Sequence, residues 1–358
     1  MLEMGERYLI VGGGHQGLAM AAHLSLSGEH VKLWNRSREH IQDLINTKEV
    51  CCRGILEGKG RLEKVSTDIG DVYENIIFVT VPANAYPDVA KLLAPYVSSD
   101  TVIILNPGRT FGALDFMNHL QRSGCKNKPC IAETQTILYT CRRDSRNGCV
   151  IHALKKDVLI SALRNQDMPV ILGKLPLCMR SYFKPVVHMA ITSLGNVGMV
   201  LHCAPVLMNI GWIENEKVDF KYYYEGISET IARFIEGIDR ERILLAKKLG
   251  VSVESTADWM KRTYQIQGNS LYECIRNNTY YKEIDAPGTI YHRYLLEDVP
   301  CGLVPVESLG CYLHVPTPNI TLIIDLACAV LQTDLREKGR RITRADFKML
   351  TRNLQTED

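Results

Sequence analysis

Arg7-Tyr-Leu-Ile-Val-Gly-Gly-Gly-His-Gln-Gly17 is a short apolar strand running directly into Gly-x-Gly-x-x-Gly, with an Ala/Leu-rich helical stretch, Leu18 to Ser27, behind it. Each spaced glycine answers a steric demand. Gly12 lets the chain turn sharply off the strand, Gly14 lets the backbone approach a pyrophosphate without a Cβ, and Gly17 lets the helix pack close to the strand. Phosphates bound there meet the free N–H groups and positive end of that helix. The six-residue pattern alone is a weak signal. With a strand before it and a helix after it, it reads as a dinucleotide cradle, with His15 and Gln16 at the two places between Gly14 and Gly17. The bland alternative is a glycine-rich turn that holds no ligand.

The next strand, His30-Val-Lys-Leu-Trp34, ends in Asn35-Arg36-Ser37. NAD sites carry an Asp or Glu roughly 20 residues beyond the glycines, where it accepts hydrogen bonds from the ribose 2′-OH. Here the position holds neutral Asn35 and Ser37 around Arg36, whose planar fork can pair with a 2′-phosphate. The expected cofactor is therefore NADP (NADPH) rather than NAD. An ordinary solvated charge at a strand end is the competing reading of Arg36.

With 358 residues, the chain is long enough for two domains and a substantial core. Its 42 basic and 40 acidic residues nearly cancel, so no chain-wide electrostatic drive toward nucleic acid or anionic membrane is expected. The N-terminus is too polar for a signal segment and no apolar run approaches the roughly 18 residues of a membrane span, which predicts a soluble, cytoplasmic protein. Twelve cysteines include no Cys-x-x-Cys pair, so neither zinc nor any other metal site is expected. Most sit in apolar stretches, as Cys178, Cys203 and Cys328 do, and read as reduced, buried thiols.

Strand and helix alternate through the first half. Strands are predicted at Asn75–Val81, Thr101–Leu105, Pro129–Glu133 and Asp157–Ala162, with a helix over Tyr86–Leu93. That alternation calls for a mostly parallel sheet with helices on both faces. Around Lys184-Pro185 the texture turns helical. Ile227, Ile231, Phe234, Ile238, Leu245 and Leu249 mark one face of a helix ending at Gly250, Pro318 opens another through about Leu331, and Thr343-Arg-Ala-Asp346 is a capping box. The predicted organisation is an α/β Rossmann domain over residues 1–184 and an all-α domain over 185–358.

Catalytic groups are expected largely from the helical half, and two stretches there stand out. One is Ser193-Leu-Gly-Asn196-Val-Gly-Met-Val-Leu-His202-Cys-Ala-Pro205-Val-Leu-Met-Asn209, in which two Asn and a His interrupt an apolar run. On a helix, His202 and Asn209 fall near one face after two turns. The other is His292-Arg293-Tyr294-Leu-Leu-Glu297-Asp298-Val299-Pro300. Taken singly, His202 reads more readily as a core histidine, and Arg293 with Asp298 as a surface ion pair.

Together these stretches resemble the opine dehydrogenases, the family of octopine, nopaline and N-(1-carboxyethyl)-amino acid dehydrogenases. The resemblance extends to Val81-Pro82-Ala83, Asn106-Pro107-Gly108, Ala132-Glu133-Thr134, Tyr139-Thr-Cys-Arg142, Ile238-Asp239-Arg-Glu241 and Thr317-Pro318, covering Gly12 to about Leu331. Family members often carry Pro directly after the His, whereas here Cys203-Ala204 intervene before Pro205.

The resemblance implies a helical domain like the C-terminal domain of 6-phosphogluconate dehydrogenase, with Val81 and Pro82 at the cofactor. It also implies reversible reductive condensation of a pyruvate-like α-keto acid with an amino acid's amine to a secondary amine. His202 would be the acid/base, since its ordinary pKa suits proton transfer near neutrality, and Asp298 would hold its ring. Arg293 and, less directly, Arg142 would anchor substrate carboxylates, with Asn196 and Asn209 positioning substrate. A homodimer follows by the same analogy. Two alternatives remain: a ketopantoate reductase or 3-hydroxyacid dehydrogenase, which usually relies on a Lys that these stretches lack, and a non-catalytic NADP sensor.

Overall fold

The computed structural model describes residues 6–144 and 147–352. Contacts divide the chain into two compact units, Met1–Thr192 and Ser193–Asp358.

The first unit contains strands β1 (Arg7–Val11), β2 (His30–Trp34), β3 (Glu49–Gly54), β4 (Gly58–Arg61), β5 (Lys64–Ser66), β6 (Ile76–Val79), β7 (Val102–Leu105), β8 (Cys130–Thr134), β9 (Tyr139–Arg143), β10 (Gly148–Leu154), β11 (Val158–Ala162) and β12 (Phe183–Pro185). Its helices are α1 (His15–Leu26), α2 (Arg38–Thr47), α3 (Tyr86–Leu93), α4 (Gly112–Arg122), α5 (Met168–Lys174) and α6 (Leu177–Arg180), and α7 (Met189–Leu194) crosses the division. The main sheet has the order β12-β11-β8-β7-β6-β1-β2-β5. It is parallel except where β11 meets β8. From β5 through β2, β1, β6 and β7 to β8 this is the doubly wound order, whose direction reverses between β1 and β6. β6 and β7 are apolar along their length, and β6, β7 and β8 are entirely buried, as a sheet covered on both faces requires.

Two features differ from the sequence-based expectation. A second sheet, β4-β3-β10-β9, is assembled from two insertions, one after α2 and one after β8. The chain also stays with the sheet beyond residue 184. β12 pairs with β11, and Thr192 Oγ1 donates to the buried Glu133 Oε1 at 2.9 Å.

The second unit is helical: α8 (Gly198–Met208), α9 (Ile210–Ile213), α10 (Glu229–Lys248), α11 (Thr256–Tyr264), α12 (Leu271–Asn277), α13 (Arg293–Leu296), α14 (Val304–Leu313), α15 (Pro318–Leu331) and α16 (Arg344–Arg352). One isolated bridge, Lys221 to Asp285, is its β pairing among the described residues. α10 is capped by Ser228, whose side chain accepts from Ile231 N, and it ends at Gly250 with φ +82°. The capping box of α16 closes reciprocally: Asp346 N donates to Thr343 Oγ1 and Thr343 N to Asp346 Oδ2. Two family stretches hold this unit together. Asp239 pairs with the fully buried Arg242 at 2.7 Å, and Glu241 accepts from Asn319 N and Ile320 N at the start of α15.

The apolar stretch Met189–Met208 does reach the length and hydropathy of a membrane span, contrary to expectation. Its most apolar window is 78 % buried, as for a core helix, and the stretch is non-helical between α7 and α8.

Candidate active-site groups

The glycine loop leaves β1 at the point where the sheet order reverses. Gly12 N donates to Trp34 O at 2.8 Å, and Gly12 takes φ +115°, which side chains rarely adopt. A Cβ on Gly17 would lie 1.7 Å from Gly12 O, so only glycine lets α1 come this close. A Cβ on Gly14 would meet no protein atom within 4 Å. The backbone there faces open space beside the first N–H groups of α1, which is the arrangement a pyrophosphate needs. The residues present therefore fit a dinucleotide. Val81 and Pro82 follow β6 on the other side of the reversal point, and Val81 Cγ1 would be 2.9 Å from a Cβ on Gly12. Thr80, which sequence reasoning passed over, closes the loop by donating to Val11 O at 3.0 Å.

His15 and Gln16 bind the second sheet. Gln16 Nε2 donates to Tyr139 O at 2.9 Å, and His15 Nδ1 accepts from Arg143 N at 2.7 Å. At the end of β2, Asn35 Oδ1 accepts from Gly13 N at 3.0 Å and its Nδ2 donates to Ser37 O at 2.9 Å. Asn35 thus shapes the loop that a carboxylate would occupy in an NAD site. Ser37 precedes α2 as its N-cap residue without a side-chain cap bond. Arg36 is 81 % exposed and stands 4.0 Å from the equally open Asp88, a contact too loose to hold it.

In the second unit, α8 runs unbroken through His202 and Pro205. The ring of His202 stacks on Tyr294, with centroids 4.0 Å apart. Tyr222 donates its hydroxyl to His202 O, and burial raises that phenol well above its ordinary pKa, keeping it a donor. His202 Nδ1 lies 2.7 Å from Asp298 Oδ2. Asp298 is fully buried and begins the π-helical turn Val299–Leu303, where Gly302 gives α8 room at Met199. A carboxylate on Nδ1 fixes the tautomer with Nε2 available for proton transfer and stabilises the imidazolium.

Arg293 pairs with Glu297 rather than with Asp298. Its Nε and Nη2 donate to Glu297 Oε2 at 3.0 and 2.8 Å, and the arginine side chain remains half exposed. His292, whose ring meets Tyr294 edge-on, has its pKa lowered by burial first and then by the Arg293 and His202 charges.

The two asparagines serve the backbone. Asn196, buried, accepts from Gly198 N at 3.2 Å, and Asn209 Nδ2 donates to Pro205 O and Gly226 O, both at 2.8 Å. Asn209 ends α8, so the expected shared helix face with His202 is replaced by a helix-terminating role. Arg142 belongs to the first unit, on the exposed side of β9, and its neighbour Arg143 is the residue that turns to the glycine loop. The alternation of buried and exposed residues along Tyr139–Arg143 was the available signal.

A dinucleotide cradle in a doubly wound unit, followed in the chain by a helical unit, is an architecture on which nicotinamide-dinucleotide oxidoreductases are built. Residues 185–331 match the family NAD/NADP octopine/nopaline dehydrogenase, alpha-helical domain, and residues 8–109 match ketopantoate reductase PanE/ApbA. An opine dehydrogenase of Arthrobacter sp. (strain 1C) is 33 % identical over 351 residues, covering 97 % of this chain and 96 % of that protein. The chain belongs to the opine dehydrogenase family. Its fold is shared with yersinopine dehydrogenase bound to NADP+ (TM-score 0.79, 13 % identity, 99 % and 100 % of the two chains). It is likewise shared with octopine dehydrogenase bound to NADH and pyruvate (TM-score 0.77, 16 % identity, 99 % and 98 %).

Proposed function

We propose that this oxidoreductase uses NADPH to fuse a pyruvate-like α-keto acid with an amino acid through a secondary amine, reversibly. The observation that carries the reading is His202 Nδ1 held 2.7 Å from the fully buried Asp298 carboxylate. The substrate amine adds to the keto carbonyl, the carbinolamine loses water as its oxygen is protonated, and reduction of the imine gives the N-(carboxyalkyl) amino acid. NADPH supplies the hydride when bound. His202 Nε2 gives the proton to the departing oxygen, and Asp298 stabilises the charged ring before that transfer. Both substrates carry carboxylates, and Arg293, tethered by Glu297 and half exposed, offers a fork for one of them.

Two residues drop out of the substrate set on this reading. The Asn209 amide nitrogen is bound to two carbonyls, and Arg142 lies on the outer side of β9. A homodimer remains the expectation from family analogy, and a cytoplasmic location the expectation from the sequence's composition.

NADPH absorbance is the test. It should fall only when keto acid and amino acid are both present, and mass spectrometry should find the fused product. Full-rate oxidation with the keto acid alone, giving the hydroxy acid, would instead select the ketopantoate reductase type.

A further inference from the structure

Gly13 is a node between two side chains that come from distant parts of the first unit. Its N–H is held by Asn35 Oδ1 at 3.0 Å, and its carbonyl accepts from Arg143 Nη1 at 3.3 Å. The other arm of the same guanidinium donates from Nη2 to His40 O, in the first turn of α2, at 2.6 Å. The strand that carries Arg143 is pinned to the cradle at both ends: Gln16 Nε2 binds Tyr139 O, and His15 Nδ1 accepts from Arg143 N at 2.7 Å.

The position of Asn35 is where an acidic residue meets the adenosine ribose in NAD sites. Arg143 is therefore linked through Gly13 to the residue that stands at that ribose position. We infer that Arg143 is a second cationic group for the adenosine 2′-phosphate, supplied by the inserted sheet and oriented by the carbonyls of Gly13 and His40. The inference rests on the NADPH reading above.

The two arginines divide the work differently. Arg36 is almost wholly solvated and must be ordered by the ligand, which costs side-chain entropy. Arg143 is half-buried and already held, so it approaches the phosphate without that cost, and burial of its charge leaves it readier to accept an anionic partner. The nearby Asp43 adds an opposing negative field, which the phosphate must overcome. A planar fork held on two carbonyls also matches the geometry of phosphate oxygens better than an ammonium would.

The test is direct binding of NADPH and NADH to the full-length protein, followed by nucleotide fluorescence, with competition by adenosine 2′,5′-bisphosphate. Arg143→Met should weaken NADPH and the bisphosphate by about tenfold or more and leave NADH within about twofold. Arg143→Lys should fall between Arg143→Met and the wild type. Equal weakening of NADPH and NADH would overturn the inference in favour of a loop-bracing role, and unchanged affinities for both would overturn it outright. A wild type that binds the two nucleotides equally would overturn the NADPH reading itself, a result distinct from a preference that survives removal of Arg143.

Discussion

His202 and Asp298 are 96 positions apart in the chain, yet Nδ1 and Oδ2 meet at 2.7 Å, with the carboxylate fully buried and the imidazole 16 % exposed. Burying a carboxylate is costly unless a partner compensates it. The carboxylate therefore favours a proton on Nδ1 and a lone pair on Nε2, the tautomer that the proposed acid/base role needs. Stacking on Tyr294 and the Tyr222 bond to the His202 carbonyl hold the ring in place from two further directions.

Replacing His202 with Ala should lower turnover by roughly 10² to 10⁴, the span expected for one positioned acid/base. NADPH affinity should change little, because the glycine cradle lies in the other unit. Asp298→Asn should also slow turnover, since an amide cannot stabilise the imidazolium as a carboxylate does. Steady-state kinetics at saturating substrates check both. Wild-type turnover in His202→Ala would reduce the histidine to a packing residue.

Gly14 and Gly17 should respond in opposite ways to a single added methyl. At Gly17 a Cβ would sit 1.7 Å from the Gly12 carbonyl oxygen, a backbone atom that cannot move aside cheaply. Gly17→Ala should lower the melting temperature as well as cofactor binding. At Gly14 the backbone has φ −81° and a Cβ meets nothing, so Gly14→Ala should fold normally. Its deficit should appear in dinucleotide affinity alone, by about tenfold or more. Thermal melts paired with nucleotide titration distinguish the two cases.

Arg36→Ala should erase much of an NADPH preference of at least about tenfold, on the order of 1.4 kcal/mol or more. The Michaelis constant for NADPH should rise while that for NADH stays nearly constant. The melting temperature should not move, because the 4.0 Å approach of Arg36 to Asp88 joins two exposed side chains. Parallel loss for both cofactors would contradict a 2′-phosphate role.

The doubly wound core was legible because its strands are local, apolar runs punctuated by Pro and Gly. The second sheet was not. Its strand β4 reads Gly-Lys-Gly-Arg, with no alternation to detect, and β3 pairs with β10 from a separate insertion. Pairings that distant leave no periodic trace in a single sequence. Arg293 and Glu297 stand four apart at the start and C-cap of α13, a spacing that sequence can suggest, whereas the contact of His202 with Asp298 could be reached only through family resemblance. Arg142 and Arg143 differ only in which side of β9 they occupy, and the strand's alternation decides between them.

Acid should weaken the first unit through His23. This side chain is buried in α1, and its Nδ1 lies 3.1 Å from the Tyr139 hydroxyl. Burial lowers the His23 pKa and raises that of Tyr139, so both side chains stay neutral in the fold. In the unfolded chain the same histidine titrates near its ordinary value of about 6.5. Below that pH the unfolded state takes up a proton that the folded state resists, until the lowered folded pKa is reached. Stability therefore rises with pH across this window and is lost as pH falls through it. His292 shifts in the same direction in the second unit, so acid weakens both units. Denaturant midpoints should drop between pH 7.5 and pH 5.5. His23→Gln keeps a side-chain acceptor for Tyr139 but cannot titrate, so it should flatten the part of the drop that belongs to the first unit. Identical pH slopes in wild type and variant would remove His23 as the cause.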